Sequence, residues 1–224
     1  MKLDEILSLA PVIPVLTIRC IEQAVPLVQA LAEGGLKVIE ITLRTEAALD
    51  AIRLTAAEIP AAVIGAGTVL CADDLTRAHE AGARFAVSPG VTPGLLKAAS
   101  GPPLLPGAAT ASEIMVLAEA GYTHVKFFPA GPAGGVAALR AFAGPFPRIV
   151  FCPTGGIGPA SAPSYLALPN VPCVGGSWIA PEEVVSARDW ARITELAREA
   201  AALGANAPDR AGSGGNNTPY APRT

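Results

Sequence analysis

The sequence is short of charge and of metal ligands. Charged residues make up 16% of 224 residues, and 16 Lys and Arg against 19 Asp and Glu leave a net charge of −3. A nucleic-acid partner normally demands a basic excess, so none is expected. Histidine occurs only as His79 and His124, and the four cysteines, Cys20, Cys71, Cys152 and Cys173, form no CxxC pair. Ligands this scattered argue against a dedicated metal site. Cys152 and Cys173 lie in apolar, strand-like runs and read as buried free thiols, which points to a reducing, cytoplasmic compartment. Unbroken apolar blocks are missing too. The stretch 6–18 follows Asp4 and Glu5 and is interrupted by Pro11 and Pro14, unlike a secretory signal. The uncharged stretch 149–181 is broken by Gly and Pro, so no membrane-spanning helix is expected there.

Hydrophobic residues make up 51% of the chain, ample for one sizeable core and incompatible with intrinsic disorder. The 23 glycines and 22 prolines suit many short elements rather than a bundle of long helices. Runs rich in Val, Ile and Leu alternate with stretches rich in Ala, Leu and Glu. The strand candidates are 12–17, 38–43, 62–66, 84–88, 103–106, 124–129, 148–152 and 173–176. The helix candidates are 21–34, 46–59, 72–81, 93–99, 112–120, 136–142, 159–168 and 182–203. Strands alternating with helices indicate βα units and a parallel sheet, and strands apolar on both faces agree with helices covering it. Eight such units predict a single-domain α/β fold, a (β/α)8 barrel of the TIM type over residues 1–205. A doubly wound open sheet competes, but no glycine fingerprint follows the first strand, which ends Leu16-Thr17-Ile18-Arg19. Residues 1–10 read as a short helix closing the bottom of the barrel. Residues 206–224 lack periodicity and read as a disordered tail.

In such a barrel, chemistry belongs at the C-terminal ends of the strands. Only four lysines occur, and Lys126 alone lies inside an apolar strand, His124-Val125-Lys126-Phe127-Phe128-Pro129. A buried ammonium must be paired or neutral, and a neutral amine in a dry pocket is the nucleophile for Schiff-base chemistry on a ketone. A lysine snorkelling to the barrel mouth is the structural alternative. Glu40 and Thr42 share one face of Lys37-Val38-Ile39-Glu40-Ile41-Thr42-Leu43-Arg44. A carboxylate there needs a partner, which Lys126 or Arg44 could supply. It is either a general acid and base or half of a structural ion pair. Arg44 can grip a carboxylate or phosphate with its fork, or simply cap a loop. Thr68, in Gly65-Ala66-Gly67-Thr68, offers a hydroxyl beside glycines that allow close backbone approach. Thr154-Gly155-Gly156 follows the seventh strand candidate, and Gly175-Gly176-Ser177 follows the eighth. Barrels carry phosphate in those two loops, so the paired glycines point to an anion site rather than to plain turns. His79 and His124 read as structural.

The strings GGLKVIEITLRT, IGAGTVL, FAVSPG, HVKFFPA, FCPTGGI and GGSW, in unbroken order over residues 7–203, resemble the 2-keto-3-deoxy-6-phosphogluconate (KDPG) aldolases. That family also handles 4-hydroxy-2-oxoglutarate. The resemblance implies a class I, Schiff-base aldolase on a (β/α)8 barrel, without metal or cofactor and usually a homotrimer. It makes Lys126 the Schiff-base lysine and Glu40 the proton-transfer group. It places Arg44 and Thr68 on the pyruvate carboxylate, and Pro89 and Phe128 along the pocket wall. It sets Thr154 against the substrate's C4 stereochemistry, and Gly155, Gly156 and Ser177 on the phosphate. The expected partner is a small phosphorylated keto acid. PGAAT at 106–110 departs from the family's PGIST, and the tail has no counterpart. The galactonate epimer is the alternative substrate, with Thr154 leaning against it. A phosphosugar isomerase and a non-catalytic phosphosugar-binding protein are the rival readings, since fold does not fix function.

Overall fold

The computed structural model describes residues 1–98 and 101–206. Among these residues a short helix α1 (Leu3–Leu7) leads into nine strands: β1 (Val12–Leu16), β2 (Val38–Thr42), β3 (Val63–Gly67), β4 (Phe85–Val87), β5 (Leu104–Leu105), β6 (Gly107–Ala108), β7 (His124–Phe127), β8 (Val150–Pro153) and β9 (Val174–Gly176). The remaining helices are α2 (Ala24–Glu33), α3 (Ala48–Glu58), α4 (Ala72–Glu80), α5 (Pro93–Lys97), α6 (Ala111–Glu119), α7 (Gly135–Ala143), α8 (Ala162–Leu166), α9 (Glu182–Ser186) and α10 (Trp190–Ala202). Every strand pairing is parallel. Six strands form a curled sheet in the order β5-β4-β3-β2-β1-β9, and three form a second, β6-β7-β8.

Each strand expected from the sequence is present, but the run at 103–106 is split and extended. Pro106 has no N–H to donate, so the ladder is interrupted there. The Leu105 carbonyl accepts from Ser88 N on one side at 3.2 Å, and the Pro106 carbonyl accepts from Lys126 N on the other at 2.8 Å. The two sheets approach again where Thr154 forms a single parallel bridge to Gly175.

Buried apolar residues fall into two clusters. The larger lies between helices and strands and includes Ile39, Ile41, Ile64, Leu75, Ile114, Phe127 and Ile193. The smaller gathers Ile6, Leu7, Ile13, Val38, Phe85, Val87, Leu105, Cys152 and Cys173. Its strand members come from β1, β2, β4, β5 and β8, with Cys173 just before β9, and Ile6 and Leu7 of α1 join them. Cys152 and Cys173 are buried, as expected, with Sγ atoms 3.7 Å apart.

Helix starts follow local chemistry. Thr110 accepts from Glu113 N, while Glu113 Oε2 accepts from the backbone N–H groups of Ala109 and Thr110, a capping box that starts α6 immediately after β6. The expected single helix over 182–203 is instead two. Arg188 takes a left-handed φ of 56° between them, and the Asp189 side chain caps α10 by accepting from Arg192 N. Residues Leu203–Asn206 form a 3-10 turn, so Asn206 continues the folded part. The rest of the expected tail lies outside the described residues. Among those described, no helix is long and apolar enough to cross a membrane.

His124 opens β7, with Nδ1 3.0 Å from Thr123 Oγ1. Burial pushes its pKa below the ordinary 6.5, and Asp4 pulls it partly back. The unfolded chain therefore takes up this proton at a higher pH than the folded one, which favours unfolding as the pH falls below 6.5. Urea midpoints measured between neutral and mildly acid pH should fall, and His124→Gln should flatten that fall. An unchanged slope in the variant would remove His124 from the account.

Candidate active site

Lys126 and Glu40 meet across the concave side, one from each sheet. Lys126 Nζ lies 3.2 Å from Glu40 Oε1, and both residues are 4% exposed. Lys126 is the penultimate residue of β7. Its register neighbours are Gly107 on β6 and Cys152 on β8. Glu40 sits at the centre of β2, opposite Val15 on β1 and Gly65 on β3. Of the two cations that the sequence offered to Glu40, Lys126 makes the pair. Arg44 instead donates from Nε to Thr68 Oγ1 at 3.1 Å. An amine and a carboxylate buried together can exchange a proton without solvent, which generates a nucleophile in place.

Glycines make this arrangement possible, in a way the sequence reading missed. A Cβ on Gly67 would overlap the Glu40 carboxylate, and one on Gly65 would overlap the Phe85 ring. These glycines admit a side chain from the adjacent strand, where the sequence suggested only backbone approach. Gly107 leaves room for the backbone of Pro89, which brings the SPG turn against the strand next to Lys126. The register pairs Gly65 with Glu40 and Gly67 with Thr42, a tertiary fact that the motif alone does not show.

The remaining expected residues follow the C-terminal ends of the strands. The Phe128 ring centroid is 5.3 Å from Lys126 Nζ, a cation–π distance. Thr68 adopts φ 58°, unusual for a β-branched residue, where it meets Arg44. Thr154 is buried and donates its N–H to the Phe127 carbonyl at 2.9 Å. Gly155 and Gly156 both have positive φ, 94° and 74°. Gly155 passes the Phe128 ring so closely that a Cβ would stand 3.2 Å from it. Gly175 and Gly176 leave room for neighbouring side chains. They lie within β9, where a Cβ on the first would overlap the Thr154 hydroxyl and one on the second the Trp178 ring. Ser177 follows, exposed. Among the described residues no group of three or more His, Cys, Asp or Glu converges as a metal site would require.

Comparison with known proteins places this geometry. The family described as "Aldolase: KDPG and KHG aldolase" matches residues 3–196. The 2-dehydro-3-deoxy-phosphogluconate aldolase of Pseudoalteromonas atlantica is 55% identical over 201 residues, covering 89% of this chain and 94% of that protein. The KHG/KDPG aldolase of Escherichia coli is 53% identical over 199 residues, covering 88% and 93%. Among solved structures, KDPG aldolase from Legionella pneumophila, with pyruvate captured as a covalent carbinolamine intermediate, superposes with a TM-score of 0.86 at 48% identity, covering 88% of this chain and 96% of that one. The Zymomonas mobilis enzyme with 3-phosphoglycerate gives 0.85 at 50% identity, covering 89% and 95%. The chain belongs to the KDPG and KHG aldolase family.

Proposed function

We propose that residues 1–205 form a closed (β/α)8 barrel acting as a class I aldolase. The substrate is 2-dehydro-3-deoxy-6-phosphogluconate, cleaved to pyruvate and glyceraldehyde 3-phosphate. The same site would cleave 4-hydroxy-2-oxoglutarate to pyruvate and glyoxylate. Closure of the barrel is supported by residues 104–108, which bond to β4 on one side and β7 on the other, and by the Thr154–Gly175 bridge. The observation that carries the chemistry is the buried Lys126–Glu40 pair. The Legionella relative, whose pyruvate is held as a carbinolamine, supports the same chemistry here.

The reaction follows from the residues. Lys126 Nζ gives up a proton to Glu40 and attacks the C2 carbonyl carbon of the keto acid. The carbinolamine hydroxyl leaves as water with the proton held by Glu40, which gives an iminium and returns Glu40 to the carboxylate. Glu40, directly or through a water, takes the C4 hydroxyl proton. The C3–C4 bond breaks, its electron pair passing to the iminium, and the aldehyde leaves. Protonation of the enamine at C3 and hydrolysis release pyruvate and return the amine. Arg44 and Thr68 hold the carboxylate, so C2 stays within reach of Nζ. Pro89 and Phe128 line the pocket, Thr154 lies along C4, and Gly155, Gly156 and Ser177 receive the phosphate. The galactonate epimer remains the alternative substrate. The burial of Cys152 and Cys173 supports a reducing, cytoplasmic setting, and the homotrimer rests on the resemblance to the family.

Glu40→Gln keeps the shape of the side chain and removes the base. Its kcat for cleavage should fall roughly 10²–10⁴-fold, the ordinary weight of a general acid–base group. A rate near that of the unaltered enzyme would move proton transfer to another residue.

A further inference from the structure

Two hydroxyl groups, one just past β1 and one at the end of β2, are in contact. Ile13 packs in the cluster on the concave side, and Val15 lies opposite Glu40 in register. Thr17 is next in that alternation, just past the end of the strand. It is exposed, and its Oγ1 lies 3.2 Å from Oγ1 of Thr42, which is fully buried two residues beyond Glu40 on the same face of β2. A hydroxyl has one proton and two lone pairs. Thr42 donates its proton to the Leu16 carbonyl at 2.8 Å. In the contact with Thr17 it therefore accepts, and Thr17 donates. The Thr17 oxygen is left with lone pairs facing outward and no proton to give. At this position it can only accept.

Strand order says what it would accept from. β1 lies between β9 and β2. Glu40 stands on β2 and Ser177 follows β9, with Thr154, the residue before Gly155-Gly156, bridged to β9. A substrate whose C4 hydroxyl meets Glu40 and whose C6 phosphate lies on those loops must pass its C5 over the end of β1. We infer that Thr17 is a specificity-determining residue that accepts a hydrogen bond from the hydroxyl on the carbon between the cleaved bond and the phosphate. This rests on the aldolase reading above and on its placement of the phosphate.

The test compares Thr17→Val, which removes the hydroxyl at nearly constant shape, with Thr17→Ser, which keeps it. Steady-state kcat/KM is measured on the six-carbon phosphorylated keto acid and on 4-hydroxy-2-oxoglutarate, whose C5 is a carboxylate without a hydroxyl. Thr17→Val should lower the ratio of the two specificity constants about tenfold, the scale of one lost hydrogen bond. Thr17→Ser should restore it. An equal loss on both substrates would make Thr17 a structural tie between β1 and β2 and overturn the assignment, as would an unchanged ratio or a serine variant that behaves like valine. If the unaltered chain cleaves neither substrate, the aldolase reading itself falls and the assignment with it.

Discussion

Lys126→Ala should abolish turnover while the fold persists. Without the amine there is no iminium, and without the iminium no electron sink for the C3–C4 bond, so the loss is one of mechanism rather than of positioning. The background is expected to lie several orders of magnitude below the unaltered rate, as for removal of a nucleophile in other covalent enzymes. Stability responds separately. Removing one partner of a buried ion pair leaves the other uncompensated, a cost of about 3–5 kcal/mol for a carboxylate that must stay charged. Glu40 can escape part of that cost by taking a proton, since a buried carboxylic acid is far cheaper than a buried carboxylate. Circular dichroism should therefore report a folded protein with a lowered urea midpoint. Lys126→Ala combined with Glu40→Gln should recover part of the loss in midpoint and none of the activity. An active Lys126→Ala protein would end the Schiff-base account.

Gly67→Ala should also cost activity, through a residue that touches no substrate. The added methyl would occupy the space of the Glu40 carboxylate. Gly67 has no positive φ, so the effect is one of volume rather than of backbone strain. Either the carboxylate swings away from Lys126 Nζ or β2 and β3 separate. A displacement of about 1 Å at a reacting group can cost on the order of 10²-fold in rate. Overpacking a tight interior adds about 1–3 kcal/mol of destabilisation. Cleavage kinetics and urea midpoints measured on the same preparation separate the two effects. Combining Gly67→Ala with Glu40→Gln should add little to the rate loss of either, because both act on one carboxylate. Full activity in Gly67→Ala would show that Glu40 need not occupy the position next to Lys126.

Much of this was legible in the chain because burial conflicts with charge. Lys126 and Glu40 stand out in apolar strands, and two such residues in one parallel α/β fold lead to the pair that the structure contains. The alternation of strands and helices was equally plain, since a parallel sheet covered by helices must be apolar on both faces. What the sequence hid depends on register. Gly67 looks like any turn glycine until β3 is laid beside β2 and its missing side chain falls against Glu40. The room that Gly175 and Gly176 leave for Thr154 and Trp178 is likewise invisible until the chain is folded. The break at Arg188 has no Gly or Pro to announce it; the Asp189 cap inside the run 182–203 was its one local sign. Thr17 could not be singled out, because a threonine at a strand end is ordinary. It gains a role only from the proton that Thr42 gives to Leu16 and from the place of β1 between β9 and β2.

Borohydride reduction in the presence of pyruvate tests the central claim most directly, read by intact mass and peptide mapping. The account predicts one reduced pyruvate per chain, carried on the peptide that contains Lys126 and absent from Lys126→Ala. A folded protein with no adduct, or with the adduct on Lys2, Lys37 or Lys97, would contradict it.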